Sequence, residues 1–170
     1  MNRVYLIDGH ALLSFPDVLQ PGAHGEVYGV LGDMVFRDRL VVTRGVIDVL
    51  RRLAPNESPA IWANTVLSLR KHRKVSWAAQ LEAQGLAQRA GHEAGLSDID
   101  SDRPESSAEI VGLYLELSNS SPDLAPVVVT EDWGDKPTRP SLGRFCKEQE
   151  FAVIRLAVFL RQINLGHCLA

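Results

Sequence analysis

Cysteine is scarce in this chain, and that scarcity limits the classes of protein that the sequence can encode. Cys146 and Cys168 are the 2 cysteines, and they form no CxxC pair. They are too few and too far apart to make a disulfide framework, which is typical of a protein kept in a reducing compartment. We therefore expect a cytoplasmic protein in which each cysteine packs as a small apolar side chain.

The sequence also has no long apolar run and no recognisable leader segment. The longest apolar tract, residues 151–160, contains Arg155 and is too short to span a bilayer. The amino terminus enters a predicted strand almost at once, without the charged, apolar and small-residue regions of a signal peptide. These absences predict a protein that does not associate with a membrane.

Several catalytic motifs are missing as well. The 5 histidines form no HxxxH or HExxH pattern, and His167 and Cys168 stand together as an isolated pair. The chain has no glycine-rich phosphate loop and no GxSxG segment, which disfavours nucleoside-triphosphate, zinc and serine-hydrolase chemistry. A net charge of -3 gives no overall attraction to a polyanion, so any nucleic-acid binding needs a local basic face.

The patterns that are present alternate between strand and helix. The chain has 170 residues, 45% of them hydrophobic, which fits a single domain spanning residues 1–170 with a substantial core. Strands are predicted at residues 4–7, 40–42, 127–129 and 151–154, with helical patterns between them. This alternation predicts an α/β fold with a parallel central sheet covered on both faces, a three-layer α/β/α sandwich.

Acidic residues follow two of the predicted strands. Asp8 comes directly after the first strand, and Asp132 comes two residues after Thr130 at the end of the third. Because the carboxyl ends of parallel strands share one edge of a sheet, we expect Asp8 and Asp132 to lie close together and to hold a divalent cation. Alternatively, each acid turns the chain and accepts backbone hydrogen bonds. Glu131 should point elsewhere, since neighbours on an extended backbone face opposite sides.

A short basic run is the best candidate for a nucleic-acid contact. Arg70, Lys71, Arg73 and Lys74 surround His72 at the predicted end of a helix. Positive charge at that end is favoured by the helix dipole and is easily solvated. The alternative is a phosphate-binding patch that holds an RNA backbone.

Residues 97–107 are rich in Asp and Ser and predict an acidic loop. Its aspartates and Glu109 fall at the ligand positions of an EF-hand-like calcium loop, but Arg103 occupies the position that needs a glycine. Ser106 and Glu109 have the spacing of a capping box, which predicts that Glu109 bonds back to the backbone N–H of Ser106.

The order of these elements resembles the PIN-like ribonuclease superfamily, whose members include toxins of toxin-antitoxin pairs. Segment 127–132 and the chain beyond it look most like an uncharacterised PIN-like family of small bacterial proteins. Segment 6–12, followed by residues 27–29, resembles the start of the 5′-nuclease domain of bacterial DNA polymerases. The resemblance implies a Mg²⁺- or Mn²⁺-dependent endoribonuclease, with RNA, an antitoxin-like protein and a second copy of the chain as partners to test.

Two positions depart from this family pattern. Such domains carry acids at the positions that Val49 and Ser107 occupy here. The resemblance implies that Asp8 and Asp132 are catalytic and bind the metal, and that Glu109 or Glu105 replaces the missing acid as a further ligand. The incomplete acid set also supports an alternative: a catalytically inactive PIN-like module that binds nucleic acid or protein.

Overall fold

The computed structural model describes residues 2–96 and 106–170. The strands are β1 (Asn2–Ile7), β2 (Leu40–Val41), β3 (Leu124–Val129) and β4 (Val153–Ile154). The α-helices are α1 (Gly9–Leu13), α2 (Phe15–Val18), α3 (His24–Phe36), α4 (Arg44–Leu53), α5 (Ser58–Ser68), α6 (Trp77–Arg89), α7 (Ser107–Ser120), α8 (Leu142–Glu148) and α9 (Leu156–Gln162), and a 3-10 helix spans Gly166–Cys168.

The four strands form one parallel sheet in the order β2-β1-β3-β4. The two central strands pair along their whole length, from Asn2 opposite Leu124 to Ile7 opposite Val129. Both outer strands are short, and both pair in parallel with a central strand. The predicted α/β fold with a parallel sheet is therefore confirmed, and helices flank that sheet.

The central strands are buried because their sequences are nearly continuous apolar runs. The last four residues of β1 and the last four of β3 are all buried. Strands with this pattern have no solvent face and need cover on both sides, which is characteristic of parallel sheets. Phe15, Phe145 and Phe159, the largest fully buried side chains, come from helices that supply this cover.

Helix starts place polar side chains where the strands end. The Asp8 carboxylate accepts a hydrogen bond at the start of α1, and the Thr43 hydroxyl does so at the start of α4. Ser141 caps α8 in the same way. Such caps satisfy backbone N–H groups that have no partner within the helix. As a result, buried oxygen atoms gather at the carboxyl edge of the sheet.

Two further predictions concern the acidic loop and the membrane. Residues 97–105 of the predicted acidic loop, with its calcium-binding alternative, lie outside the described residues, and Ser107 begins α7. Among the described helices, none is both long and apolar enough to cross a membrane.

Candidate acidic site at the carboxyl edge of the sheet

Asp8 is held at the junction between β1 and α1. Its backbone is extended, and its side chain is the N-cap of the helix: Oδ1 accepts a hydrogen bond from Ala11 N at 2.8 Å. The other carboxylate oxygen, Oδ2, accepts one from Thr130 Oγ1 at 2.5 Å. Asp8 is 2% exposed. Both of its oxygens therefore have donors inside the protein.

Burial controls the protonation of Asp8. Loss of solvation raises the pKa of the Asp8 carboxyl to about 6, since a buried charge is less stable than a hydrated one. The positive charge of His10 and the hydrogen bonds from Thr130 and Ala11 act in the opposite direction, while the charge of Asp132 raises the pKa further. Near neutral pH the site thus holds a carboxylate that a nearby cation would stabilise.

Thr130 joins the two acids that were predicted to meet. Its hydroxyl donates to Asp8 Oδ2 and accepts from Asp132 N, the second bond being 2.9 Å long. The residue is fully buried at the end of β3, directly beside β1. The prediction that the strands carrying Asp8 and Asp132 are close neighbours is confirmed. Thr130 itself was not predicted as part of the site, although its position directly after three valines marks the strand end.

The carboxylate of Asp132 already has a positively charged partner. Its Oδ2 lies 3.1 Å from Arg139 Nη1 and also accepts a hydrogen bond from Leu142 N at 3.0 Å, at the start of α8. The side chains of Asp132 and Arg139 are 5% and 2% exposed. A buried ion pair of this kind persists only when each charge compensates the other. Arg139 therefore occupies the electrostatic role that a metal ion would have beside Asp132.

Glu131 faces away from this pair, as the extended backbone predicts. One of its oxygens accepts a hydrogen bond from Leu156 N at 2.8 Å, and the other lies 3.0 Å from Arg155 Nη1. Glu131 therefore stabilises the start of α9. It does not share the environment of Asp132.

Trp133 lies next to Thr130. Its indole N–H donates to Thr130 O at 3.1 Å, and the charged groups of Lys147 and Arg155 lie 5.2 Å and 4.7 Å from its ring centre. Gly143 allows the ring to come close to α8, since a Cβ atom there would lie 2.5 Å from the indole. The aromatic ring is thus fixed by hydrogen bonding, packing and cation-π contacts.

Val49 lies beside the start of α1, next to Asp8. A Cβ atom added to Gly9 would come within 2.7 Å of Val49 Cγ1, so the two residues are in close contact. Val49 is 3% exposed. The position at which the family resemblance calls for an acid is therefore adjacent to Asp8, but its side chain is apolar and contributes no ligand.

Glu109 is engaged at another helix start. Its Oε2 accepts a hydrogen bond from Gly45 N at 2.8 Å, in the first turn of α4. Burial raises the pKa of this carboxyl, and hydrogen bonds from Thr43 and Gly45 partly offset that effect. The Ser106 side chain makes no capping hydrogen bond. The prediction that Glu109 closes a capping box on Ser106 is therefore wrong: Glu109 caps α4 from a distant part of the chain.

The basic run extends along the outer side of β2. Arg70 and Lys71 line a cleft of about 340 Å³ together with Val4 and Leu124, near the ends at which β1 and β3 begin. Asp8 lies at the opposite, carboxyl edge. This part of the run is therefore remote from the acidic site along the strand direction.

The later part of the run approaches the carboxyl end of β2. Arg73 N donates to Val42 O, and Arg73 O accepts from Arg44 N. The Arg73 guanidinium lies 3.1 Å from the carboxylate of Glu116, and the Lys71 ammonium lies over the exposed ring of Phe36. Two of the four predicted nucleic-acid contacts thus have partners within the protein.

Among the described residues, the arrangement does not fit a Mg²⁺ or Mn²⁺ ion; Glu105, the other candidate ligand, lies outside those residues. Hard cations need several oxygen ligands around one point. Asp132 is paired with Arg139, Glu109 bonds to Gly45, and Val49 presents only carbon. Asp8 is almost fully buried, has a raised pKa and, among the described residues, has no basic residue bonded to its carboxylate.

Comparison of the chain with protein-family models, curated proteins and solved structures finds no match.

Proposed function

We propose that this chain is a PIN-like domain, a three-layer α/β/α sandwich, that binds a partner without cleaving it. The observation that supports this proposal best is the buried ion pair between Asp132 and Arg139. In a metal-dependent nuclease the carboxylates must be available to the ion, whereas here a guanidinium neutralises one of them. The apolar Val49 beside Asp8 supports the same conclusion.

A Mg²⁺- or Mn²⁺-dependent ribonuclease is the second candidate function. It is favoured by Asp8, a buried carboxylate whose pKa is raised at the edge of a parallel sheet, where active sites of α/β proteins collect. For this function Arg139 would have to release Asp132 so that both acids became available.

A cleavage assay separates the two functions. Single-stranded and structured RNA are incubated with wild-type protein, Asp8→Asn and the control Asp17→Asn, which changes an exposed acid of α2, at millimolar Mn²⁺ or Mg²⁺. The binding-module proposal expects no cleavage by any of the three. Cleavage by wild type and Asp17→Asn that is lost in Asp8→Asn would establish the ribonuclease instead.

The basic run makes RNA the first class of partner to test. Arg70 and Lys74 are exposed, and their joint replacement by Gln removes two charges. Replacing Arg51 and Arg52, an exposed pair at the end of α4, removes the same net charge elsewhere. If the run binds a phosphate backbone, only the first variant should lose affinity for RNA and show a weaker dependence on salt. Equal affinities would direct the search to a protein partner, such as an antitoxin-like protein or a second copy of the chain.

A further inference from the structure

Three different metal-ligating groups meet where the 3-10 helix contacts α3. Glu26 lies in the first turn of α3, and His167 and Cys168 lie in the 3-10 helix. One ligand atom from each of these side chains lies within 4.8 Å of the other two. The imidazole Nε2 of His167 is 2.9 Å from Glu26 Oε1, and the thiol of Cys168 donates to Glu26 Oε2 at 3.6 Å.

Backbone hydrogen bonds hold the 3-10 helix in place without an ion. Gln20 N donates to Cys168 O, and Ala170 N donates to Val18 O. Leu19 and Leu169 form an antiparallel bridge. The segment that carries His167 and Cys168 is therefore tied to the turn that leads into α3, and the two side chains do not depend on Glu26 alone for their position.

The separations suit a tetrahedral ion. With metal-ligand distances of about 2.0 to 2.3 Å, tetrahedral ligand atoms are roughly 3.3 to 3.8 Å apart. The 3.6 Å contact from Glu26 to Cys168 falls within this range, and the 2.9 Å contact from Glu26 to His167 is slightly shorter. Small side-chain rotations would therefore bring a carboxylate oxygen, an imidazole nitrogen and a thiolate sulfur around one centre.

We propose that Glu26, His167 and Cys168 form a zinc site with a fourth position open to solvent. The donor set selects this ion: thiolate and imidazole favour zinc, whereas Mg²⁺ and Ca²⁺ take oxygen ligands. The side chains of Glu26 and His167 are 52% and 62% exposed, so an ion and a water molecule have access. A bound zinc ion would link the 3-10 helix to α3. This proposal does not depend on the proposed function of the acidic site.

An ordinary surface ion pair is the competing explanation. Exposed pairs contribute little to stability, and His92 and Glu148 form such a pair at 3.1 Å. The pair at Glu26 differs because the thiol of Cys168 faces the same carboxylate. His92 and Glu148 therefore provide a matched control: the same two residue types at a similar distance, in a pair to which no cysteine belongs.

The experiment is a titration of the full chain with Co²⁺, followed by competition with Zn²⁺ against a chelating dye. Co²⁺ bound to a thiolate gives a near-ultraviolet charge-transfer band, which reports whether Cys168 is a ligand. Wild type and His92→Gln should show the band and bind one equivalent of zinc. Cys168→Ser should lose the band. His167→Gln and Glu26→Gln should each weaken zinc binding by more than about tenfold.

Controls separate this site from the acidic site and from misfolding. Asp8→Asn should leave zinc affinity unchanged. Because Cys168 is 1% exposed, its variant is first compared with wild type by circular dichroism; if it does not fold, the largely exposed pair Glu26 and His167 decides the result. Absence of zinc binding in wild type, or unchanged affinity in Glu26→Gln and His167→Gln, would overturn the proposal.

Discussion

The hydroxyl of Thr130 connects the two central strands of the sheet at their carboxyl ends, donating to Asp8 Oδ2 over 2.5 Å. The same oxygen accepts the backbone N–H of Asp132. Because the hydroxyl has one hydrogen and two lone pairs, it can make both bonds at once. One side chain thus satisfies a buried carboxylate oxygen and a buried backbone donor.

Replacing Thr130 by Val should destabilise the protein by about 2 to 4 kcal/mol. The change keeps the shape but leaves Asp8 Oδ2 and Asp132 N without this partner, and each buried unsatisfied polar group costs about 1 to 3 kcal/mol. Thr130→Ser keeps the hydroxyl and removes only a methyl group, so it should cost about 1 kcal/mol. Urea unfolding at pH 7 measures both. A Val variant as stable as the Ser variant would refute the bridging role.

The unfolding free energy of Asp8→Asn relative to wild type should rise by roughly 1 to 3 kcal/mol between low pH and pH 7, because Asn carries no charge that must be buried. The single side-chain oxygen of Asn cannot accept from both Ala11 N and Thr130 Oγ1, which adds a cost that does not change with pH. The raised pKa of Asp8 means that the folded state holds its proton more tightly than the unfolded chain does. The Asp8 contribution to stability is therefore greatest below about pH 4, declines between about pH 4 and 6, and stays low above that range.

The measurement for Asp8 is the difference in unfolding free energy between wild type and Asp8→Asn from pH 3.5 to 8. Other carboxyl groups contribute equally to both proteins, so the difference isolates residue 8. The unfolding free energy of the variant relative to wild type should increase as the pH rises from about 4 to about 6. A constant difference across the range would mean that the pKa of Asp8 is not raised.

Arg139→Met should cost about 3 to 5 kcal/mol, since it leaves the buried charge of Asp132 without its ion partner. The double variant Asp132→Asn with Arg139→Met removes that charge and keeps an oxygen for Leu142 N. We therefore expect the double variant to be more stable than Arg139→Met alone. Thermal unfolding of both proteins tests this order, and the reverse order would show that the buried Asp132 carboxylate does not need Arg139 as its ion partner.

The sequence was sufficient to predict the parallel sheet and the pairing of the two strands that precede Asp8 and Asp132. Continuous apolar runs at β1 and β3 identify buried parallel strands, and parallel pairing places Asp8 and the Thr130 segment at one edge. These signals are local, so a single sequence displays them. The partners of these acids could not be predicted in the same way. Arg139 follows Asp132 by seven residues within an irregular segment, and no periodicity indicates which way its side chain points.

Long-range contacts explain the remaining errors. Glu109 and Gly45 are 64 residues apart, whereas the capping box at Ser106 and the calcium loop were both explanations based on local spacing. His167 and Glu26 are 141 residues apart. Ligand motifs read along the chain cannot find such a pair. The sequence shows that His167 and Cys168 are adjacent. It does not show that Glu26 lies beside them, because that contact depends on how the end of the chain folds back onto α3.

The last prediction concerns Gly45 and Glu109. The effect of Gly45→Ala on the free energy of unfolding should depend on whether Glu109 is present. A Cβ atom on Gly45 would lie 2.1 Å from Glu109 Oε2, so Gly45→Ala must displace that carboxylate from Gly45 N. Losing this bond costs about 1 kcal/mol, which offsets or exceeds the gain of up to about 1 kcal/mol from replacing glycine within a helix. In the background of Glu109→Ala the clash is absent, so Gly45→Ala should stabilise the protein by about 0.5 to 1 kcal/mol. A double-mutant cycle by urea unfolding measures this coupling, and calorimetry should find that Glu109→Gln leaves any affinity for Mn²⁺ unchanged. If Gly45→Ala has the same effect in both backgrounds, Glu109 is a solvated acid that does not cap α4. If Glu109→Gln abolishes Mn²⁺ binding, Glu109 is a metal ligand.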